Sequence, residues 1–263
     1  MVGQAKLIET VYWEARRRGG QQAQLEFEVA TKELAAAFAA TAEDVQGMEA
    51  RGAFFPDGTR TSLFTLSQMR QGVNEIADTA HVQALLWRPP RWEVVDNRSL
   101  DFEFVARELT PMSSVAARQR VWLTPVAERR ISLDALLVNV EDRTPIVAEI
   151  KVGDDENAEL GLIQALAAAA QLSSGSQRTR LHRQFKDFFA NEPVAALDVY
   201  VITARAPARG VRPQLATRAH ALAQALKIDG SLAAWIRRIA FLEMTLVYGR
   251  PTFRTARPAG EQK

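Results

Sequence analysis

Asp134, Glu149 and Lys151 are the residues whose types and spacing could do chemistry together. Each interrupts a largely apolar run: Asp134 within 130–140, Glu149 and Lys151 within 144–152. Charge in a mostly buried segment is costly unless it is paired or bound to a metal. Two carboxylates suit a hard cation, because Mg²⁺ prefers oxygen ligands, keeps several waters and often takes only one or two protein carboxylates plus a substrate phosphate. Such an ion stabilises charge on a phosphate under attack and lowers the pKa of bound water. Lys151 would orient that water or offset developing negative charge. The same three charges on a solvated sheet face would instead make a cross-strand salt bridge, since opposite charges pair favourably there.

The surrounding pattern supplies the elements that must position them. Residues 144–152 carry Ile146, Val147, Ala148, Ile150 and Val152 and read as a strand. Strand side chains alternate, so Glu149 and Lys151 share one face and Ala148, Ile150 and Val152 the other. Glu141-Asp142-Arg143 reads as a tight turn back to a strand over 130–140, which makes the two strands hairpin partners and brings Asp134 near Glu149. Asp154 or Asp155 caps a long helix through Leu172 in this reading, and 196–203 is a further strand. Residues 213–227 read as helix and 239–248 as a strand or a late helix. Upstream, 91–96 and 119–125 read as short strands, and Ser99 as the cap of a helix bearing Leu100, Phe104 and Leu109, closed by Pro111. A hairpin leading into a strand–helix–strand unit predicts a mixed sheet with helices on both faces.

Asp134, fourteen residues, then Glu149-Ile150-Lys151 followed by a helix resembles the PD-(D/E)xK nuclease superfamily over about residues 96–203. The resemblance implies a restriction-endonuclease-like α/β fold, a mixed four-stranded sheet flanked by helices. It implies a Mg²⁺- or Mn²⁺-dependent nuclease cutting phosphodiester bonds, with DNA favoured over RNA and a possible homodimer. Asp134 and Glu149 would then be metal ligands, the Ile150 carbonyl a further one, and Lys151 the catalytic lysine. Gln164 fits the Gln of the Gln-x-x-x-Tyr that some members add on the following helix, but Ala168 holds the Tyr position. Leu133 replaces the Pro before the Asp. Glu103 and Glu108 are both candidates for the upstream glutamate of the family. Arg178, Arg180, Arg183 and Lys186, with His182 and Phe185 among them, could line a phosphate track or simply form a solvated helix face.

The first 88 residues read differently. Leu7, Ile8, Val11, Tyr12 and Ala15 recur at helical spacing before Gly19-Gly20. Residues 25–29 alternate apolar and acidic residues as a short strand does. Thr31 reads as the cap of a helix through Phe38, and Thr41 as the cap of another reaching Arg51. Asp57-Gly58 between β-rich flanks signals a hairpin. This order resembles a winged helix-turn-helix across about residues 4–66. The last of its three helices carries Glu43, Asp44 and Glu49, which repel phosphate, so a dimerisation or docking role stands beside groove reading. A helical pattern over 66–87 ends at Arg88-Pro89-Pro90-Arg91, which places a domain boundary there. The domains expected are 1–88, winged-helix-like, and 89–263, nuclease-like.

Composition removes other classes. The 263 residues include no cysteine, which excludes disulfide scaffolds, zinc–thiolate sites and cysteine nucleophiles. His81, His182 and His220 are far apart, so no local histidine zinc motif exists. No run of 18 apolar residues occurs and the first residues lack a signal-peptide core, so no membrane association and a cytoplasmic protein are expected. With 33 Lys+Arg against 31 Asp+Glu, the charge neither demands a nucleic-acid partner nor forbids one, because a local basic patch suffices.

Overall fold

The computed structural model describes residues 6–17, 30–49, 54–59, 78–114, 131–152, 157–190, 196–204 and 213–256. Its helices are α1 (Ile8–Arg17), α2 (Thr31–Glu49), α3 (Thr79–Trp87), α4 (Ala158–Leu172), α5 (Gly175–Gln184) and α6 (Pro213–Asp229). Its strands are β1 (Phe54–Thr59), β2 (Arg91–Trp92), β3 (Phe102–Ser114), β4 (Leu133–Asn139), β5 (Pro145–Val152), β6 (Leu197–Ala204), β7 (Ile236–Val247) and β8 (Arg250–Thr255). These eight strands form one mixed sheet in the order β1-β3-β4-β5-β6-β7-β8, with β2 pairing β3 beside that path. The sheet is twice as wide as the four strands expected.

The centre of the sheet follows the sequence pattern. The β4–β5 hairpin is antiparallel, and the β5–α4–β6 crossover makes β5 and β6 parallel. Apolar side chains fill both faces. Val147, Val199, Val201 and Phe241 join the core under α1, α2, α4 and α6. Ala148, Ile150, Tyr200 and Ile202 join a second core with Val82 and Leu86 of α3. The helix α4 is buried along all of its residues, as expected of one that is apolar all round. Its alanines, Ala165 and Ala167–Ala170, let β5, β6, α1 and α2 approach its backbone closely. Asn157, not Asp154 or Asp155, caps it: Asn157 Oδ1 accepts from the Leu160 N–H at 3.0 Å.

Several expected elements differ. Residues 31–49 form one continuous helix in place of two. No proline or glycine interrupts 31–46, and six alanines favour continuation. Thr41 is therefore inside α2, not a cap. Its buried hydroxyl accepts from the Ile8 N–H at 2.9 Å and donates to Glu9 Oε2 at 3.0 Å. Gln171 of α4 donates to Glu9 Oε1 at 2.8 Å, so one buried carboxylate joins α1, α2 and α4. Asp57-Gly58 lies within β1, paired to β3 through two register shifts, instead of turning a hairpin. The winged-helix element order is thus not what these segments form. The strands expected at 25–29 and 119–125 lie outside the described residues, as does most of the helical pattern over 66–78.

The helix expected from Ser99 to Leu109 is strand β3, preceded by a single 3₁₀ turn, Arg98–Leu100. Leu100, Phe104 and Leu109 mimic helical spacing, but Phe102, Phe104 and Ala106 alternate, and pairing with β1, β2 and β4 decides the outcome. Pro111, which has no N–H to donate, falls in the β1–β3 register shift between Ser113 and Thr110, where a ladder tolerates it. The segment 239–248 is strand, not helix, and β8 was not read from the sequence. Residues on both sides of the boundary expected at 88 contribute to one sheet and one core, since β1 pairs β3 and Ile8, Val11 and Phe38 pack with Val147 and Leu166.

Candidate functional site

Register brings the three charged residues together. Ala135 pairs Ala148 in the antiparallel hairpin, so the next step sets Asp134 level with Glu149. The Asp134 carboxylate accepts the Ile150 N–H at 2.8 Å through Oδ2. That bond seats Asp134 against the backbone between Glu149 and Lys151. Within a strand, one residue's N–H and C=O turn toward the same neighbour, so the Ile150 carbonyl faces the Asp134 edge. The Asp134 backbone carbonyl accepts from Gln83 Nε2 of α3 at 2.8 Å. Helices from both layers therefore fix this end of β4.

Glu149 and Lys151 are 1% and 4% exposed, and Lys151 Nζ donates to Glu149 Oε1 at 2.9 Å. Asp134 is half-buried, so it is the member of the trio with solvent access. Burial pushes the Glu149 carboxyl well above the ordinary glutamate range. The Lys151 charge opposes this, while the Asp134 charge, and a hydrogen bond shared with the Asp134 carboxylate, reinforce it. With both carboxylates ionised, Glu149 Oε2 is buried and has no hydrogen-bond donor. Only a shared proton or a cation satisfies that oxygen. Two carboxylates with one unmatched oxygen fit a hard cation that brings its own waters. Among the described residues, no group of three or more His, Cys, Asp or Glu gathers that could hold a metal ion.

Gly161 and Tyr12 are parts of this site that the sequence reading missed. A Cβ at Gly161 would come within 3.1 Å of Lys151 Cε and 3.3 Å of Lys151 Cγ and Val201 Cγ1. The missing side chain on α4 is the groove that holds the lysine stem. Gln164, one turn further along α4, reaches the site's rim. Its Nε2 donates to the Ser132 carbonyl at 3.0 Å, and its Oε1 accepts from the Tyr12 hydroxyl at 2.9 Å. Gln164 thus braces α1 and the start of β4. Ala168 occupies the position where the resembled motif has Tyr, while the phenol bonded to Gln164 comes from α1, 152 residues earlier. No local spacing signals such a long-range contact.

The other candidates separate. Glu103 lies opposite Val138 and is paired with Arg143 at 2.8 Å and Arg91 at 3.4 Å, away from Asp134. Glu108 falls between Arg107 and Leu109, which pair Ala135 and Leu133, so it is level with Asp134. It is exposed and has φ of 51°, a conformation uncommon outside glycine. The basic segment does not run beside β5. Helix α5 meets β1, and Gln177 donates to the Pro111 carbonyl of β3 at 2.7 Å, so these contacts fall two and three strands from β5. Arg178 donates to the Ser173 carbonyl and Arg180 to Gln177 Oε1. His182 and Phe185 are buried, and of the four basic residues Arg183 and Lys186 are exposed while Arg178 and Arg180 are half-buried.

Fold and site together define a mixed α/β protein with helices over its sheet and a buried carboxylate–lysine cluster at one end of the central hairpin. Compared with known proteins, the chain matches no family model, no curated protein and no solved structure. No described helix is long and apolar enough to cross a membrane.

Proposed function

We propose that this protein is a metal-dependent nuclease of the PD-(D/E)xK kind, acting on nucleic acid, with DNA favoured. The observation that carries the reading is the meeting of Asp134, Glu149 and Lys151 on one face of the β4–β5 hairpin, with a buried glutamate oxygen that has no donor when both carboxylates are ionised. Asp134, Glu149 and the Ile150 carbonyl would hold Mg²⁺ or Mn²⁺. When bound, the ion supplies charge neutralisation at the phosphate and a more acidic water. Asp134 and Glu149 fix where the ion can lie, because both are anchored to one stretch of β5. Lys151, held by Gly161 and Glu149, brings an ammonium to the position where negative charge develops on the phosphate oxygens. Gln164 keeps α4 and the start of β4 in register with the cluster.

The test is Mg²⁺- or Mn²⁺-dependent cleavage of plasmid and single-stranded DNA by the wild type and Lys151→Ala. Wild-type cleavage with a loss of about a hundredfold or more in the variant is expected, the scale set by removing one charge-stabilising donor. Equal cleavage by both, or none by the wild type on any substrate or metal, overturns the reading.

One observation favours a second reading. Lys151 and Glu149 close on each other and are both nearly inaccessible, as in a cluster kept for structure. The protein would then be a non-catalytic DNA-binding regulator or docking subunit on a degenerate nuclease fold. Calorimetry with Mn²⁺ separates the two. A site abolished by Asp134→Asn and by Glu149→Gln supports the nuclease, and indifference to metal supports the regulator.

A further inference from the structure

A cavity of about 480 Å³ opens between α6, the first half of β7 and the turn at Asn97–Leu100. Its size falls in the ordinary range for a small-molecule site, roughly 300–1,000 Å³. It lies apart from the carboxylate–lysine cluster. Arg238 on its wall is level with Asp198 of β6 and, through it, with Ile146 near the start of β5. Glu149 and Lys151 stand toward the other end of β5, two strands away from β7.

One wall is apolar. Leu226 and Phe241 are buried, Ile239 beside them is half-buried, and the His220 ring lies against Phe241 with centroids 4.3 Å apart. The other wall is basic. Lys227 comes from the last turn of α6 and Arg238 from β7, and no Asp or Glu stands among the described residues that line the cavity. A third cation there, Arg237, is spent on Asp198 and Asp142. Neither Lys227 nor Arg238 forms an ion pair with any described carboxylate. Arg238 Nη1 donates to the Ser99 carbonyl, a neutral acceptor that fixes the guanidinium on the wall and leaves it further donors. The helix dipole accounts for a lysine in a last turn. It does not account for two cations and no acid around a cavity with an apolar side.

We propose that this cavity binds a small amphipathic anion. Its phosphate or carboxylate is held by Lys227 and Arg238, and its ring or acyl chain lies against Leu226, Ile239 and Phe241. A guanidinium offers a planar fork of donors that matches two oxygens of either head group. A neutral apolar molecule would take water from the two cations without replacing it. A bare anion would leave the apolar wall wet. Only a ligand with both parts satisfies both walls. The site is separate from the proposed nuclease centre and does not depend on it.

The experiment is calorimetric titration of the full chain, in EDTA, with adenosine monophosphate and with octanoate. Each is run beside its neutral counterpart, adenosine or octanol, and inorganic phosphate serves as the head group alone. Saturable binding of at least one of the two anions is expected, about tenfold or more tighter than its neutral counterpart and than phosphate. Binding of the nucleotide alone assigns a ring-bearing phosphate, and binding of octanoate alone an acyl carboxylate. Lys227 and Ala233 are exposed positions on the cavity, so substitution there spares the core. Lys227→Glu should weaken binding by about tenfold or more, and Ala233→Trp should block it by filling the space. Arg183→Glu makes the same charge change on α5, outside the cavity, and should bind as the wild type does. Four results overturn the proposal. These are no saturable binding of either anion, equal binding of the neutral counterpart or of phosphate, wild-type affinity in both Lys227→Glu and Ala233→Trp, or a loss in Arg183→Glu as large as in Lys227→Glu. No arm measures cleavage, so the outcome is independent of the nuclease reading.

Discussion

Two buried carboxylates on neighbouring strands are treated in opposite ways. Asp198, at the start of β6, is fully buried, and both of its oxygens are matched: Arg237 Nε donates to Oδ1 at 2.8 Å and Nη2 to Oδ2 at 2.6 Å. Arg237 also holds Asp142 in the β4–β5 turn. The hydrogen bond to Asp198, which outweighs the cost of burial, holds the Arg237 guanidinium above its ordinary pKa. Glu149, towards the far end of β5, is equally buried but has one oxygen matched by Lys151, while the other has no donor when both it and Asp134 are ionised. A complete bidentate pair ties elements together, whereas an incomplete one is a place where something else can bind.

The strongest way to break this comparison is to remove the cations. Arg237→Met should cost about 3 kcal/mol or more in urea unfolding, because it strands the Asp198 charge in the core. Lys151→Met should cost clearly less, because Glu149 is already pushed toward its neutral form and can take up a proton. Equal losses would mean that the two pairs do the same job.

Neutralising the acids sharpens the contrast. Asp198→Asn breaks a bidentate charge-assisted pair and should cost about 2 kcal/mol. Glu149→Gln should cost less in metal-free protein, by about 1 kcal/mol. The same contrast has a pH signature. The folded pKa of Glu149 lies above its ordinary value of 4.5. Its contribution to stability is therefore complete below that value and is lost as pH rises through the raised folded one. Urea midpoints of the wild type should fall relative to Glu149→Gln as pH increases from acid to neutral, and a bound divalent cation should reduce the gap. A gap that widens toward acid pH would reverse the assignment.

The smallest stability effect is expected at Gly161. Gly161→Ala gains helix propensity of about 1 kcal/mol but crowds Lys151 and Val201, so net stability should change by less than about 1 kcal/mol. Cleavage should nonetheless fall several-fold, because a displaced ammonium misses its position. An unchanged rate would show that the lysine stem does not depend on that groove.

The part of the site that was legible in the sequence was the part made by neighbours along the chain. Asp134, Glu149 and Lys151 stood out because charge interrupts two apolar strands joined by a short turn, and alternation fixed their faces. Tyr12 and Gly161 carried no such sign. One looks like a core aromatic and the other like a helix glycine until α1 and α4 are placed together. The same limit explains the errors in the fold. Strand β3 is buried on both faces, so its alternation is blurred and Ser99 with Leu100, Phe104 and Leu109 imitates a capped helix. The Asp57-Gly58 pair carries a hairpin signal, but pairing with β3 draws it into a strand. Thr41 is a good cap by type, yet a helix already running through alanines gave it a different use.

The carboxylate of Glu9, gripped by Thr41 from one helix and Gln171 from another, works as an alignment pin. Sliding α1 by a single turn, about 5.4 Å, would pull that charge away from both partners at once. The outer helices therefore have one permitted setting over α4, and the reach of the Tyr12 phenol to Gln164 is inherited from it. Swapping in a foreign first helix, however well it matches the apolar stripe, would lose the setting unless an acid stood at the same place.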